Sequence, residues 1–162
     1  PSLVGSEMCI RDRYATSGTR IKLRLRQTFA SNATCDTPLN NSTPMGGSLG
    51  NHTEKQRPTF IVETMQDAMP IAAVDLIKLS QRNGTVQQQV LRLGDYPKGQ
   101  ASSCITWTDR DYNKGDVALW YVRVLEQPSQ RWDQKNQVVE RAWSSPIWSL
   151  PATMRDRSGP ER

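Results

Sequence analysis

Arg20, Ile21, Lys22, Leu23, Arg24, Leu25 and Arg26 alternate strictly between cation and aliphatic side chain. Successive side chains of a strand point to opposite faces, so this run reads as a strand with one buried face. Ile21, Leu23 and Leu25 are expected in a core. The four cations are first a solvated face and only second a binding patch.

The same period recurs in short pieces. Thr59 to Thr64 is a β-rich run. Ala73 to Leu79 alternates, with Val74, Leu76 and Lys78 opposite Asp75, Ile77 and Leu79. Asn83-Gly84 is a two-residue hairpin signal and should join that strand to Val86 through Leu93. Cys104 to Thr108 is another short strand. Val117 to Leu125 is apolar on both faces except at Arg123, which points to a central strand. Val138 to Leu150 is interrupted at Pro146, which cannot donate to a ladder, so an edge or a bulge is expected there.

Strands are therefore predicted over 20–26, 59–65, 73–80, 85–93, 104–108, 117–126 and 139–149. No amphipathic helix is visible. About seven short strands with turn signals between them predict an all-β fold, an Ig-like β-sandwich, with a small β-barrel as the alternative. Residues 30 to 58 are rich in Asn, Ser, Thr, Gly and Pro, and read as a long loop, either functional or poorly ordered.

The 162 residues suffice for one domain. Residues 1 to 13 lack the order of a signal peptide and resemble translated adaptor sequence, so they are expected to be non-native. Residues 14 to 151 form the domain, and 152 to 162 read as a disordered tail.

Composition contributes mainly by exclusion. Lys+Arg 21 against Asp+Glu 16 leaves +5, too small and scattered an excess to predict nucleic-acid binding. The single histidine, His52, excludes a histidine-rich metal or catalytic centre, and three cysteines are too few for a four-thiolate zinc site. No apolar run has the length of a membrane span. No phosphate loop, nucleophile elbow or zinc spacing is present. No catalytic and no metal-ligating residue is assigned, and no cofactor is expected in this chain.

Some residues invite a closer look. Asp109, Asp111, Asn113 and Asp116 begin like a calcium loop, but Trp120 stands where the closing glutamate belongs. A polar hairpin loop is the plainer reading. With Cys9 set aside, Cys35 and Cys104 remain. They would bridge in an oxidising compartment or stay as two thiols, and sequence does not bring their Cα atoms together.

Arg123 in an apolar strand requires a partner, with Glu126, Asp133 and Glu140 as candidates. If 117–126 and 139–149 are neighbouring antiparallel strands, Arg123 and Glu126 come near Glu140 and Arg141. Arg131 and Trp132 then lie on the connection. This group is either an internal ion-pair network or a contact for substrate or another domain. Trp132, Trp143 and Trp148 are core, a sugar platform or an interdomain surface.

Several motifs occur in order: Tyr14-Ala-Thr-Ser-Gly-Thr-Arg-Ile21, Pro44-Met-Gly-Gly47, Trp107-Thr-Asp109, Tyr121-Val-Arg-Val-Leu-Glu126, Pro128, Arg131-Trp132 and Glu140-Arg-Ala-Trp-Ser-Ser-Pro-Ile-Trp148. Together they resemble the C-terminal part of a bacterial family known as a domain of unknown function. That family is related to the PHP (polymerase and histidinol phosphatase) metallohydrolases. Gln127-Pro-Ser-Gln130 departs from the family's more apolar, Thr-containing turn. The resemblance implies an N-terminal metal-binding barrel outside this chain as its partner, with a divalent metal held there. It implies a parent that hydrolyses a phosphate or sulfate ester, and this domain as an accessory piece, inactive alone. The parent is expected to be exported, as in a periplasm. The competing readings are a stand-alone carbohydrate-binding sandwich and a structural module.

Overall fold

The structure is a computed structural model that describes residues 14–17, 20–130 and 136–150. The expectations for residues 1–13, for the tail and for Arg131, Trp132 and Asp133 lie outside these residues. Twelve strands are present among them: β1 (Tyr14–Thr16), β2 (Lys22–Thr28), β3 (Thr43–Pro44), β4 (Thr59–Met65), β5 (Ile71–Arg82), β6 (Thr85–Gln100), β7 (Ser102–Thr108), β8 (Val117–Glu126), β9 (Ser129–Gln130), β10 (Gln137–Val138), β11 (Arg141–Ser144) and β12 (Ile147–Ser149). A three-residue 3-10 turn, Leu39–Asn41, is the one helical piece among the described residues.

The larger sheet runs β1-β11-β8-β5-β6, with β12 also paired to β8. The second sheet runs β3-β2-β4-β7, and β9 and β10 form a separate ribbon. All of these strand pairs are antiparallel. The chain is all-β, a sandwich, and neither sheet closes into a barrel. β8 is central, flanked by β5 on one side and by β11 and β12 on the other. The predicted strand 139–149 is split into β11 and β12 around Pro146, whose missing N–H removes a rung. β5 and β6 run longer than predicted, and β6 tolerates Pro97 because it is an edge strand with one unpaired side.

The core follows from the alternation. Ile21, Leu23 and Leu25 pack with Phe60 and Val62 of β4 against Val74 and Leu76 of β5 and Trp120, Val122 and Val124 of β8. Full burial of each such side chain is worth roughly 1.5–3 kcal/mol. Trp120 is the largest, wedged between Phe60 at 5.0 Å and Tyr112 at 5.7 Å between ring centroids.

The long loop is part of the fold rather than a free excursion. Its second half places Met45 and Leu49 in the core. There it stitches onto the larger sheet: Gly46 N–H donates to Pro146 O at 2.8 Å, Leu49 N–H to Trp148 O at 2.7 Å and Trp148 N–H to Gly47 O at 2.9 Å. Gly46 sits at φ 84°, a left-handed conformation that suits glycine.

The first half of the loop covers the outer face of the second sheet, and this corrects the reading of Arg26. Arg24 is exposed as expected, but Arg26 is buried. Its guanidinium donates to the carbonyls of Thr37 and, at 2.7 Å, Cys35. The alternation placed Arg26 on the right face, and the loop then closed over that face. Ile61, its partner on β4, is buried on that face as well. Cys35 and Cys104 form a disulfide, with Cα atoms 6.1 Å apart, that pins the loop to edge strand β7.

Candidate functional site

One row of Cα partners crosses the outer face of the larger sheet: Arg92 on β6, Asp75 on β5, Arg123 on β8 and Trp143 on β11. Asp75 lies between two guanidiniums. Arg92 Nε donates to Oδ1 at 2.5 Å, and Arg123 Nη2 and Nε donate to Oδ2 at 2.8 and 3.2 Å. Arg92 Nη1 also reaches Asp95 at 2.9 Å. The Asp75 side chain is 1% exposed, whereas Arg92 is 50% and Arg123 37% exposed. The carboxylate is thus sealed under two cations whose outer edges face water. The hydrogen bond to Asp75 holds the Arg92 guanidinium above its ordinary pKa, so it stays charged.

Among the described residues the partner of Arg123 is therefore Asp75, not Glu126 or Glu140; the third candidate, Asp133, lies outside them. The reason is the strand period. Residues three apart on a strand lie on opposite faces, so Glu126 points away from Arg123. Glu126 is fully buried at the inner end of β8. Its Oε1 accepts from Asp67 N–H at 3.2 Å, and Oε2 has no hydrogen-bond partner among the described residues. β8 and β11 are indeed neighbours, and Glu126 N–H donates to Glu140 O at 3.0 Å. The side chains diverge there. The Glu140 carboxylate accepts from the Ser17 hydroxyl, which itself accepts from Arg141 N–H at 2.9 Å. The structure thus places Arg123 in a cross-strand row, Glu126 in the core, and Glu140 and Arg141 against β1.

The face around the row is apolar. Next to it come Val90, Ile77 and Tyr121, and beyond them Leu79, Leu119 and Trp148, each set aligned across neighbouring strands. Trp148 and Val90 are exposed, and Leu79, Leu119, Tyr121 and Trp143 are half-buried. Sequence reading passed over Asp75. The available signal was a lone acid in one apolar run matched by a lone cation in another.

The 109–116 segment uses its acids internally. Asp109 Oδ2 meets Lys78 Nζ at 2.6 Å and accepts from Trp120 Nε1 at 2.9 Å, while Oδ1 accepts from Asp111 N–H at 3.1 Å. Asp116 is clamped by Arg82 at 2.6 Å, and this hydrogen bond raises the Arg82 pKa. A polar hairpin loop is what these contacts describe. Among the described residues no three His, Cys, Asp or Glu side chains are grouped to hold a metal.

His52 is a satisfied core residue. Nδ1 bonds Gly50 O at 2.7 Å, Nε2 bonds Tyr112 Oη at 3.0 Å, and Phe29 stacks on the ring at 4.4 Å. Tyr112 passes the chain on to Ser149 Oγ at 2.9 Å, which is itself buried. No helix of the described residues is long and apolar enough to cross a membrane.

The model of a family described as "Protein of unknown function (DUF3604)" matches residues 4–95 and 95–151. The match begins inside the stretch read from its sequence as adaptor. No curated protein and no solved structure matches this chain.

Proposed function

We propose that this chain, which belongs to the DUF3604 family of proteins of unknown function, is a non-catalytic accessory sandwich that docks on a companion domain through the outer face of its larger sheet. The observation that carries this reading is the Arg92–Asp75–Arg123 row set among Tyr121, Leu119, Trp143 and Trp148. An apolar surface of this kind on a sandwich marks an interaction site. The guanidinium nitrogens that bond neither Asp75 nor Asp95, Arg92 Nη2 and Arg123 Nη1, suit carboxylate, phosphate or sulfate oxygens.

The companion, by the resemblance given above, is a metal-binding barrel of the PHP type, and the parent a hydrolase of phosphate or sulfate esters. The divalent metal so implied finds no ligand set among the described residues, because Asp75, Asp109 and Asp116 each neutralise cations. No chemical step is assigned to this chain. Its part is to bind and orient.

Trp143 and Trp148 share that face, which keeps a carbohydrate-binding module as the competitor. Acrylamide quenching separates the two. Tryptophan emission should be open to quencher in this chain and shielded in a longer protein that includes the barrel. Leu119→Glu should restore quenching in the longer protein without unfolding it. Equal quenching in both proteins defeats the docking reading. Quenching blocked by a soluble oligosaccharide in this chain alone favours the competitor.

A further inference from the structure

The edge of the larger sheet points to a second copy of this chain. Among the described residues β6 pairs with β5 only, and no further strand follows it in the sheet. From Thr85 to Val90 every residue is exposed, whichever face it is on, so this half of the hairpin stands clear of the second sheet. Natural edges are usually blocked by charge, proline or a bulge. Thr85 to Leu91 has neither charge nor proline, and its register with β5 is unbroken from Arg82–Thr85 to Asp75–Arg92.

The hairpin sets which backbone groups are free. Asn83 at φ 50° and Gly84 at φ 80° make a two-residue turn with both central residues left-handed. Such a turn makes Arg82 and Thr85 a hydrogen-bonded pair. Alternation then turns the N–H and C=O of Thr85, Gln87 and Gln89 toward β5, and those of Val86, Gln88 and Val90 outward. Those three residues are the two ends and the centre of Val86-Gln-Gln-Gln-Val90, which reads the same in both directions.

We infer that the chain forms a two-fold dimer by antiparallel pairing of β6 with β6 of a second copy, centred on Gln88. In that register Gln88 faces Gln88 of the second copy, and Val86 faces its Val90 and the reverse. All of these are the residues whose backbone groups point outward, so each pair exchanges both hydrogen bonds. A two-fold contact must be self-complementary, and the palindrome supplies that. Val86 and Val90 lie on one face and are 65% and 53% exposed. Pairing them across the axis covers the largest apolar exposure of the strand. Gln87 meets Gln89 on the other face, and Arg92 falls opposite Gly84, so no like charges meet. The contact uses the backbone edge of β6, and Val86 and Val90 meet at the margin of the outer face, beside the row assigned to docking.

The test is sedimentation of the whole chain over a wide concentration range, with circular dichroism as the check on folding. The wild type should be a concentration-dependent dimer. Val86→Lys with Val90→Lys places lysine against lysine and should weaken the dimer at least about tenfold. Val86→Lys with Val90→Glu places lysine against glutamate and should keep it. Gln88→Pro removes an outward N–H that β5 does not use and should give a folded monomer. A monomeric wild type, or a dimer indifferent to the double-lysine change, overturns the inference. Loss of the dimer in both charged variants overturns this register.

Discussion

The Lys78 Nζ lies 2.6 Å from Asp109 Oδ2, and both side chains are almost wholly removed from water. The pair stands over Trp120, whose Nε1–H donates to the same oxygen at 2.9 Å. A buried pair of this kind is weak evidence for stability, but breaking it is costly because a charge is left behind. Asp109→Asn should lower unfolding free energy in urea by about 3–5 kcal/mol. The double change Lys78→Met with Asp109→Asn should recover much of that loss. A single variant as stable as wild type would show that the ammonium finds water by another route.

The strand period reveals most of the fold and only part of the site. β4 and β8 span the residues their sequence predicts, because their apolar residues and flanking polar turns coincide. The period also contained the information that Arg123 and Glu126 point apart. It did not contain the identity of Asp75 as partner, which depends on the pairing of β5 with β8. Nor could it show that a loop ten residues beyond Arg26 would fold back over it. That cover rests on long-range bonds to Thr37 and Cys35 and on the disulfide. β1, β3, β9 and β10 are too short to carry a period at all.

The Cys35–Cys104 bond closes a loop with a sequence separation of 69. Restricting an unfolded chain over that distance is worth about 4 kcal/mol in the chain-entropy account, less any native strain. Stability with reductant, or in the Cys35→Ser and Cys104→Ser pair, should fall by about 2–4 kcal/mol. Denaturant midpoints in the presence and absence of reductant measure it. No change on reduction would mean the bond is not formed in the protein as isolated.

Arg24 and Arg26 are equivalent in sequence and different in the structure. Arg24 is exposed and 3.5 Å from Glu63, a surface pair worth little. Arg26 is buried and bonded to two loop carbonyls. Arg24→Ala should change stability by less than about 0.5 kcal/mol. Arg26→Ala should cost about 2 kcal/mol, since it strands two covered carbonyls and removes packing. It should also speed amide exchange between residues 34 and 38 more than in β4. Equal effects of the two substitutions would return Arg26 to the solvated face.

The outer row makes a prediction about salt rather than about pH. Asp75 raises the Arg92 pKa above its ordinary value, so the stabilisation is complete below that ordinary value and lost only as pH rises through the raised one. Across the neutral range a pH titration of stability therefore does not register this guanidinium. Removing the carboxylate does. Asp75→Asn leaves Arg92 and Arg123 facing each other from strands on either side of β5, both partly open to water. Their repulsion is screened by added salt, whereas a packing defect is not. Asp75→Asn should cost about 1–3 kcal/mol at low ionic strength, and the difference from wild type should shrink clearly in molar salt. Arg123→Gln placed on top of Asp75→Asn should remove the salt dependence by leaving one cation in place of two. If the loss in Asp75→Asn is the same at every salt concentration, the carboxylate acts through its hydrogen bonds alone. The guanidiniums would then not be held together against their charge, and the row would lose its standing as a site for an anionic group of a partner.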